Sequence, residues 1–285
     1  MAFTKKIISV DMSLASGVFT GGGNTATLTG LRMSCTVKVV GGDTPATLDL
    51  AIYGLSLSKM NQMSAIGTQY DRRSKNPIAV SAGDANGMAV VFIGMIQDAY
   101  IDAQSMPDVC FRITANVAGD NAVKDAEVTT IDGSVDVATL MNKQSQAMSL
   151  QFENSGVLVK LSNPYYSGSS YAQATRIAND AGIQWVVEKN VLAIWPTGEA
   201  RKGSAPTVSR KTGMVGYPTF RGSSVFVKTL FNPAVQYGQN ITIQSDITPA
   251  NGTWPIIAIY DKLECEMPRG EWFQIIQAVA IGTNP

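Results

Sequence analysis

The side chains in this chain that could carry out acid–base chemistry are carboxylates, because its 285 residues include no histidine. The absence of imidazole removes Ser-His-Asp and Cys-His nucleophilic sites and histidine-ligated zinc. Glu264 and Glu266 alternate along one predicted strand and are expected to share a face. A glycosidase needs two carboxylates about 5–9.5 Å apart across a cleft, which two acids on one strand do not form by themselves. We predict a solvated face and no catalytic residue; a cell-wall glycosidase that pairs either acid with Glu271 is the alternative.

The cysteines and tryptophans are the other residues with chemical potential. Cys35, Cys110 and Cys265 lie far apart and form no Cys-x-x-Cys. We predict that they are small buried side chains in a reducing compartment, with no disulfide, structural zinc or other cofactor. The four tryptophans could stack on sugars, but each lies within or beside a predicted strand, where core packing is the usual role. A carbohydrate-binding β-module is therefore a second alternative.

Charge in this chain is sparse and balanced. Charged residues make up 15% of it, against roughly 25% in typical soluble domains, and 22 basic side chains offset 22 acidic ones. Nucleic-acid-binding proteins usually carry a basic excess, so that class is disfavoured. Apolar runs reach about seven residues, short of the roughly 20 that a membrane helix needs. Residues 1–8 do not resemble a secretory signal, so we expect a soluble cytoplasmic protein without stable membrane association.

Two periodicities divide the chain into strands and helices. Alternation at every second residue predicts strands at residues 31–40, 48–53, 70–80, 90–96, 109–113, 157–161, 184–187, 191–195, 225–231 and 241–244. Spacings of three and four predict helices at residues 55–66, 134–150 and 170–181. The last of these helices is followed by Gly182, at the position where glycine commonly ends a helix.

A degenerate repeat relates residues 250–281 to residues 85–117. In each copy an Ala-Asn-Gly precedes an apolar strand, and a Met-Pro precedes a second strand. The predicted structural turns that mark the two copies are at Asn86, Gly87, Pro107, Asn251, Gly252 and Pro268. The Asn and the Pro are 21 residues apart in the first copy and 17 in the second, a difference that one longer hairpin would supply. Asn-Gly turns recur in any β-rich protein, but their recurrence in this order favours a duplicated β-domain.

Residues 197–213 are the clearest predicted linker, because Gly, Ser and Pro are interleaved with four basic residues. Those residues are Arg201, Lys202, Arg210 and Lys211. We expect a solvated connector. The alternative is a basic strip that contacts an acidic surface of a partner.

The order of the predicted elements gives a mainly β fold with an α+β insert. A chain of this length can hold two or three domains. We predict a first β-domain at residues 1–133, a small α+β module at 134–200 and a second β-domain at 201–285. Each β-domain then carries one copy of the repeat.

Four short motifs follow one another in the second half of the chain. They are the Gly-x-x-Gly-x-Pro of residues 213–218, the Leu-Phe-Asn-Pro of 230–233, the Asn-Gly-x-Trp of 251–254 and the Pro-x-Gly-x-Trp of 268–272. Together with the module at 176–196 that precedes them, this succession resembles the baseplate hub proteins of contractile-tailed bacteriophages. The resemblance covers most of residues 88–275 and is weak before residue 85.

The resemblance implies a homotrimeric ring with two tube-like β-domains per chain, which adapts a sixfold tail tube to a threefold spike. The implied partners are the tail tube or tube-initiator protein and the central spike protein, and further the tape measure and baseplate wedge proteins. It also implies a place in the tail baseplate of the virion, after assembly in the cytoplasm of the host bacterium. Some related hubs carry a lysozyme domain, and no such segment is recognisable here, so lytic activity is not implied. Val225 and Phe226 are our predicted interfacial positions; the rest of the subunit interface is unknown from the sequence.

Overall fold

A computed structural model of the protein describes residues 4–14, 19, 22–64, 76–104 and 106–279. In these ranges the fold is mainly β with three α-helices, as the sequence predicts. The chain forms two compact units. Unit 1 consists of Met1–Lys38, Thr47–Gly119 and Tyr260–Gln274, and unit 2 of Val39–Ala46, Asp120–Ile259 and Ile275–Pro285. None of the helices in the described ranges is long and apolar enough to cross a membrane.

Unit 1 is an antiparallel sheet. Its strands are β1 (Ile7–Ser13), β2 (Thr25–Leu28), β3 (Met33–Val39), β4 (Thr47–Tyr53), β5 (Pro77–Asp84), β6 (Gly87–Asp102) and β7 (Cys110–Asn116). They are hydrogen-bonded in the order β3-β4-β7-β6-β5-β1-β2. Side chains alternate between a buried and a more exposed face, as Met33, Cys35 and Val37 on β3 illustrate. This alternation is what the apolar–polar pattern of the sequence dictates for a sheet with one face in the core.

Helix α1 of unit 1 spans Leu57–Met63. It begins after Ser56, whose hydroxyl accepts a hydrogen bond from the backbone N–H of Lys59 at 3.4 Å. Met60 and Met63 are buried, as the predicted apolar face requires, but Leu57 is 62% exposed. The predicted helix of residues 55–66 extends past the described residues, which stop at residue 64 here.

The first part of unit 2 is a small α+β module. Its elements are β8 (Thr129–Thr130), β9 (Ser134–Asp136), α2 (Val137–Ala147), β10 (Gln151–Asn154), β11 (Lys160–Ser162), β12 (Tyr165–Tyr166), α3 (Ser170–Ala181), β13 (Ile183–Glu188) and β14 (Val191–Pro196). Strand β14 pairs with β10 in parallel and with β13 as an antiparallel hairpin. Helix α3 has the predicted bounds, because Ser169 caps its start and Gly182 ends it with a left-handed φ of 61°.

The rest of unit 2 returns to β structure. Its strands are β15 (Thr207–Ser209), β16 (Thr219–Arg221), β17 (Ser224–Leu230), β18 (Asn240–Gln244), β19 (Gly252–Cys265) and β20 (Trp272–Val279). The hydrogen-bonded order is β16-β17-β20-β19, with β18 between β19 and β15. The long strands β19 and β20 contribute residues to both units, and in unit 1 β19 is the neighbour of β3.

Two of the predicted elements are corrected by the structure. The helix predicted at 134–150 is Val137–Ala147, because residues 134–136 pair with β11 instead. The strand predicted at 157–161 is wrong for its first three residues. There the side-chain oxygen of Asn154 accepts the backbone N–H groups of Gly156 and Val157, at 3.0 and 2.7 Å. A side chain that binds the backbone in this way competes with ladder formation.

The strand predicted at 70–80 is described from residue 76 onward, where β5 begins at Pro77. Its first part lies outside the described residues.

The two copies of the repeat share one order of elements. Each consists of a long strand, a turn containing Met-Pro and a shorter strand that pairs with the long one, β6–β7 in the first and β19–β20 in the second. Asn86 lies in the turn that Gly87 ends, and Asn251 directly precedes Gly252, the first residue of β19. Pro107 and Pro268 lie in the turns between the paired strands, and the Met106–Pro107 peptide is cis.

The connections that lead into the two long strands differ. A two-residue turn joins β5 to β6, since Asp84 pairs with Gly87. A longer connection with a short 3-10 turn at Thr248–Ala250 joins β18 to β19.

Candidate assembly surfaces

The carboxylates considered for glycoside hydrolysis are structural. Glu264, near the end of β19, accepts hydrogen bonds from the hydroxyl of Ser34 at 3.2 Å and from the backbone N–H of Glu271 at 2.9 Å. Glu266 lies beyond the end of the strand with a φ of 54°, and its carboxylate is 2.5 Å from the ammonium of Lys5. The prediction that Glu264 and Glu266 share a strand face is wrong. Strand β19 ends at Cys265, so Glu266, with its left-handed φ, already belongs to the turn.

Glu271, the third acid of that alternative, forms an ion pair with Lys262 across the β19–β20 hairpin. Hydrogen bonding to Glu271 raises the pKa of Lys262, and hydrogen bonding to Glu266 raises the pKa of Lys5. All three acids therefore hold positions around one turn, where they close the hairpin or bind a lysine.

The tryptophans do not form a sugar-binding platform. All four lie in the described residues and none is exposed: Trp185 and Trp195 are buried, and Trp254 and Trp272 are half-buried. The ring of Trp185 lies 4.9 Å from that of Tyr171. The indole N–H of Trp254 donates to the backbone carbonyl of Ala250 at 2.9 Å. The carbohydrate-binding alternative thus loses the exposed aromatic rings on which it depends.

The cysteines are buried, as predicted. Burial raises the pKa of Cys35, Cys110 and Cys265, so the thiols are held in their neutral form. In the part of the chain that the structure describes, no three His, Cys, Asp or Glu residues are grouped so that they could hold a metal ion.

A buried ionic cluster in unit 2 centres on Arg201, whose side chain is 2% exposed. Its guanidinium donates to both carboxylate oxygens of Glu153, at 2.9 and 2.7 Å, and to Glu188 at 3.4 Å. Glu188 also accepts the backbone N–H of Tyr237 at 3.2 Å. Burial raises the pKa of Glu188, whereas the hydrogen bonds from Arg201 lower the pKa of Glu153. The paired guanidinium compensates for the cost of burying the carboxylate of Glu188.

Most of residues 197–213 are exposed, as expected for a solvated connector, but the cluster corrects that prediction at Arg201. Arg201 is bound inside unit 2, and the backbone N–H of Lys202 donates to the hydroxyl of Ser155 at 3.1 Å. Strand β15, within the same segment, pairs in parallel with β18. Lys202, Arg210 and Lys211 are exposed, as the basic-strip alternative needs. Nothing in the sequence around Arg201 indicates the cluster, because its two carboxylates lie on the strands β10 and β13.

Exposed apolar side chains gather at two places in unit 2. The first is a two-stranded ribbon that we define as residues 128–137 paired with 159–166, through β8–β12 and β9–β11. The exposed apolar side chains of the ribbon are Val128, Val159 and Tyr165, and Leu158 directly precedes its second strand. Leu158 is 88% exposed and Tyr165 is 68% exposed. The opposite face of the ribbon is packed within unit 2, since Thr129 and Tyr166 are buried.

The second place is the sheet edge at β16 and the segment before it. Its exposed apolar side chains are Val215, Tyr217, Phe220 and Leu230. Beside them a cleft of about 930 Å³ is lined by residues that include Ser209–Lys211, Met214, Gly216, Tyr217 and Thr242–Asp246. An exposed strand edge with apolar side chains favours pairing with another chain, and native proteins usually cover such an edge.

The predicted interfacial residues lie near this edge but differ from each other. Val225 is fully buried in the core of its own unit, so its assignment to a subunit interface is wrong. It faces inward because β17 alternates, with Val225 and Val227 on the core side. Phe226 points to the opposite face and is half-buried, with the guanidinium of Arg221 5.7 Å from its ring.

Comparison with known proteins identifies a family whose sequence profile matches this chain. The sequence profile of the family described as baseplate hub gp41 matches residues 7–268. Among curated protein sequences there is no match to the chain.

Solved structures share the fold at very low sequence identity. A tail protein from Neisseria meningitidis MC58 has a TM-score of 0.64 at 10% identity, over 96% of this chain and 97% of that one. The 43 kDa tail protein of prophage MuSo2 from Shewanella oneidensis has a TM-score of 0.60 at 10% identity, over 95% and 96% of the two chains. A component of the type VI secretion system of E. coli has a TM-score of 0.60 at 12% identity, over 87% and 73%. With its profile match over most of its length, the chain belongs to the baseplate hub gp41 family and is a structural protein of the phage tail baseplate.

Proposed function

We propose that three copies of this chain form a ring that joins the sixfold tail tube to the threefold spike. The supporting observation is the repeated hairpin, β6–β7 and β19–β20, each preceded by a strand that pairs with its long strand. Two similar hairpins per chain in a trimer give six similar elements around the axis. Such a ring matches sixfold symmetry on one side and threefold symmetry on the other.

The exposed strand edges of unit 2 fit this proposal. The β16 edge and the ribbon leave backbone groups and apolar side chains uncovered in the isolated chain. Closing a ring covers such edges with protein, and an obligate interface of this kind buries roughly 2,000 Å² or more. We propose the division of the chain into tube-like β-domains at 1–133 and 201–285 and a module at 134–200 as the functional parts of this ring.

The partners in this proposal are the tail tube or its initiator, the central spike, and the tape measure and wedge proteins. Assembly takes place in the cytoplasm of the host bacterium. The chain acts without catalysing a reaction, since the three candidate acids bind neighbouring groups of the β19–β20 turn and no histidine is present.

Light scattering coupled to size-exclusion chromatography tests the trimer. We expect a mass three times that of the chain, and a melting temperature that rises with protein concentration because association stabilises the folded state. Chelators and reductants leave both unchanged, since the cysteines are buried and unpaired. A monomer at every concentration, with a melting temperature that does not change over several decades of dilution, contradicts self-assembly.

A cell-wall hydrolysis assay tests the absence of catalysis. We expect no release of soluble wall fragments by the purified protein. Hydrolysis that is lost in Glu264→Gln or Glu266→Gln, both checked for folding by circular dichroism, contradicts the proposal.

A further inference from the structure

Charge is balanced over the whole chain but strongly separated within unit 2. Residues 120–136 contain five acidic residues and one basic residue. Residues 202–245 contain five basic residues and no acidic one. Both segments belong to unit 2, so this unit carries one acidic segment and one basic segment.

The acidic segment overlaps the ribbon, which also carries Lys160, paired with Asp136 at 3.7 Å. Glu127 precedes β8, and Asp132 lies between β8 and β9; both are exposed. Tyr165, which is 68% exposed, pairs with Thr130 across the ribbon. The ribbon therefore combines exposed apolar side chains with acidic side chains at its margin.

The basic segment contributes to the lining of the cleft. Arg210 and Lys211 line one side of it, with Tyr217, which is 61% exposed. The lining also includes the end of β18 and residues up to Asp246, the one acidic residue of the lining. Phe220, 48% exposed, lies on the nearby edge strand β16. The cleft thus has aromatic side chains beside it and an excess of positive charge. The aromatic side chains can pack against the exposed apolar side chains of the ribbon, and the positive charge is opposite to that of Glu127 and Asp132.

We propose that the ribbon of one copy binds in the basic cleft of the next copy and that this contact closes the ring. The inference rests on the proposed trimer and names the two surfaces that meet. A ring with head-to-tail contacts needs two different, complementary surfaces on each protomer, whereas a twofold dimer needs one self-complementary surface. Aromatic and aliphatic side chains then form the centre of the interface, and the opposite charges at its margin set the pairing.

Charge reversal tests this pairing in the full-length chain. One variant carries Arg210→Glu and Lys211→Glu, a second carries Glu127→Lys and Asp132→Lys, and a third carries all four changes. Lys143→Glu is the matched control, because Lys143 is exposed on α2 and lies outside both surfaces. Circular dichroism and thermal melting establish that each variant is folded. The trimer dissociation constant is measured by sedimentation velocity across a dilution series.

We expect each one-sided reversal to weaken the trimer by about tenfold or more, since like charges then face each other across the contact. The fourfold variant regains most of the affinity, because the attraction is restored with opposite sign, and the control matches the wild type. Raising the salt concentration weakens the wild-type trimer by screening the same charges.

The results that overturn the inference are distinct from those that overturn the trimer. A wild-type trimer that both one-sided variants form equally well shows that the contact lies elsewhere. Loss of the trimer in both one-sided variants, without recovery in the fourfold variant, shows that the ribbon and the cleft do not face each other in the ring. A wild-type chain that is monomeric at every concentration contradicts the proposed trimer itself, and this contact with it.

Discussion

The hairpins β6–β7 and β19–β20 follow the same order of motifs but fill equivalent buried positions with different chemistry. Counted from the Asn of each Asn-Gly, the tenth residue is Ile96 in the first hairpin and Asp261 in the second. Counted from the Pro of each Met-Pro, the sixth residue is Ile113 in the first and Gln274 in the second. All four side chains are at most 4% exposed. In the second hairpin the amide of Gln274 donates to the carboxylate of Asp261 at 2.7 Å.

This difference separates what sets the topology of a hairpin from what sets its core. The shared turns give both copies the same succession of strands, whereas the equivalent buried positions are aliphatic in the first copy and polar in the second. A buried hydrogen bond to a carboxylate is directional and constrains how its two strands align. Two isoleucines contribute more hydrophobic burial but less directional constraint. The second hairpin, whose strands serve both units, is the one with the polar pair.

The largest effect is expected from moving the polar chemistry into the first hairpin. Ile96→Asp should lower the free energy of unfolding by about 4 kcal/mol, because a carboxylate is then buried without a partner. Urea denaturation at one fixed protein concentration measures the loss. Ile96→Val is the control for lost volume and should cost about 1 kcal/mol. If Ile96→Asp costs no more than the valine variant, the two positions are not equivalent in burial.

Breaking the polar pair of the second hairpin comes next in size. Gln274→Leu should cost about 2 kcal/mol, because Asp261 loses a hydrogen bond that it cannot replace with water. The double variant Asp261→Leu with Gln274→Leu should cost less than the sum of the two single variants, and the difference measures their coupling. Strict additivity would show that the hydrogen bond contributes nothing beyond the two side chains separately.

The sequence predicts the succession of elements better than their partners. The sequence predicts both ends of helix α3, because Gly182 marks its end. It also predicts the hairpin β13–β14, because two apolar runs flank a polar turn. Alternation also identifies which side chains face inward. It cannot identify which of them meet, so the Asp261–Gln274 pair follows from the structure alone.

Long-range contacts explain the failures as well. Arg201 sits among glycine, serine and proline, and its burial depends on Glu153 and Glu188, 48 and 13 residues away. Val225 looks interfacial in a strand whose inner face cannot be assigned without its neighbours. The sequence does not predict the ribbon and the cleft as surfaces, for a related reason. Their separated charges are visible in the sequence, but their exposure depends on which strands stay at the edge.

The two Asn-containing turns differ in chemistry in the same way as the cores. In the first, the carboxylate of Asp84 accepts the backbone N–H of Asn86 at 2.9 Å and the hydroxyl of Thr4 at 2.6 Å. In the second, the amide oxygen of Asn251 accepts the backbone N–H of Ser245 at 2.6 Å. The Thr4 hydroxyl, the Asn86 N–H and Lys6 hold the pKa of Asp84 well below its usual range. Only the first turn therefore depends on an ionised group.

Acid should weaken the first turn and spare the second. A carboxyl whose pKa is depressed in the folded state stabilises the fold above its unfolded pKa of about 4, and this contribution is lost as the pH falls below that value. Hydrogen-exchange protection factors of Asn86 and Ser245, measured between pH 6 and 3, should fall for Asn86 alone. Asp84→Asn should remove the pH dependence. A parallel fall at both amides would instead indicate global loosening.

The smallest effect is expected from the ion pairs that both hairpins carry near their Met-Pro turns. The first hairpin pairs Asp102 with Arg112 at 2.7 Å, and the second pairs Lys262 with Glu271, so the acid and the base have exchanged strands. The hydrogen bond from Arg112 lowers the pKa of Asp102, but Arg112 is 44% exposed and Lys262 is 52% exposed, so water and salt screen both pairs.

Arg112→Ala and Lys262→Ala should therefore lower the urea midpoint only slightly, and by similar amounts, despite the exchanged charges. In about 1 M salt, where the screening length is about 3 Å, the effect should disappear. Lys59→Ala, at an exposed position on α1, is the control for loss of a surface side chain. A loss at either pair as large as that of Gln274→Leu would show that the turn, and not the buried Asp261–Gln274 pair, is where the two hairpins differ most in stability.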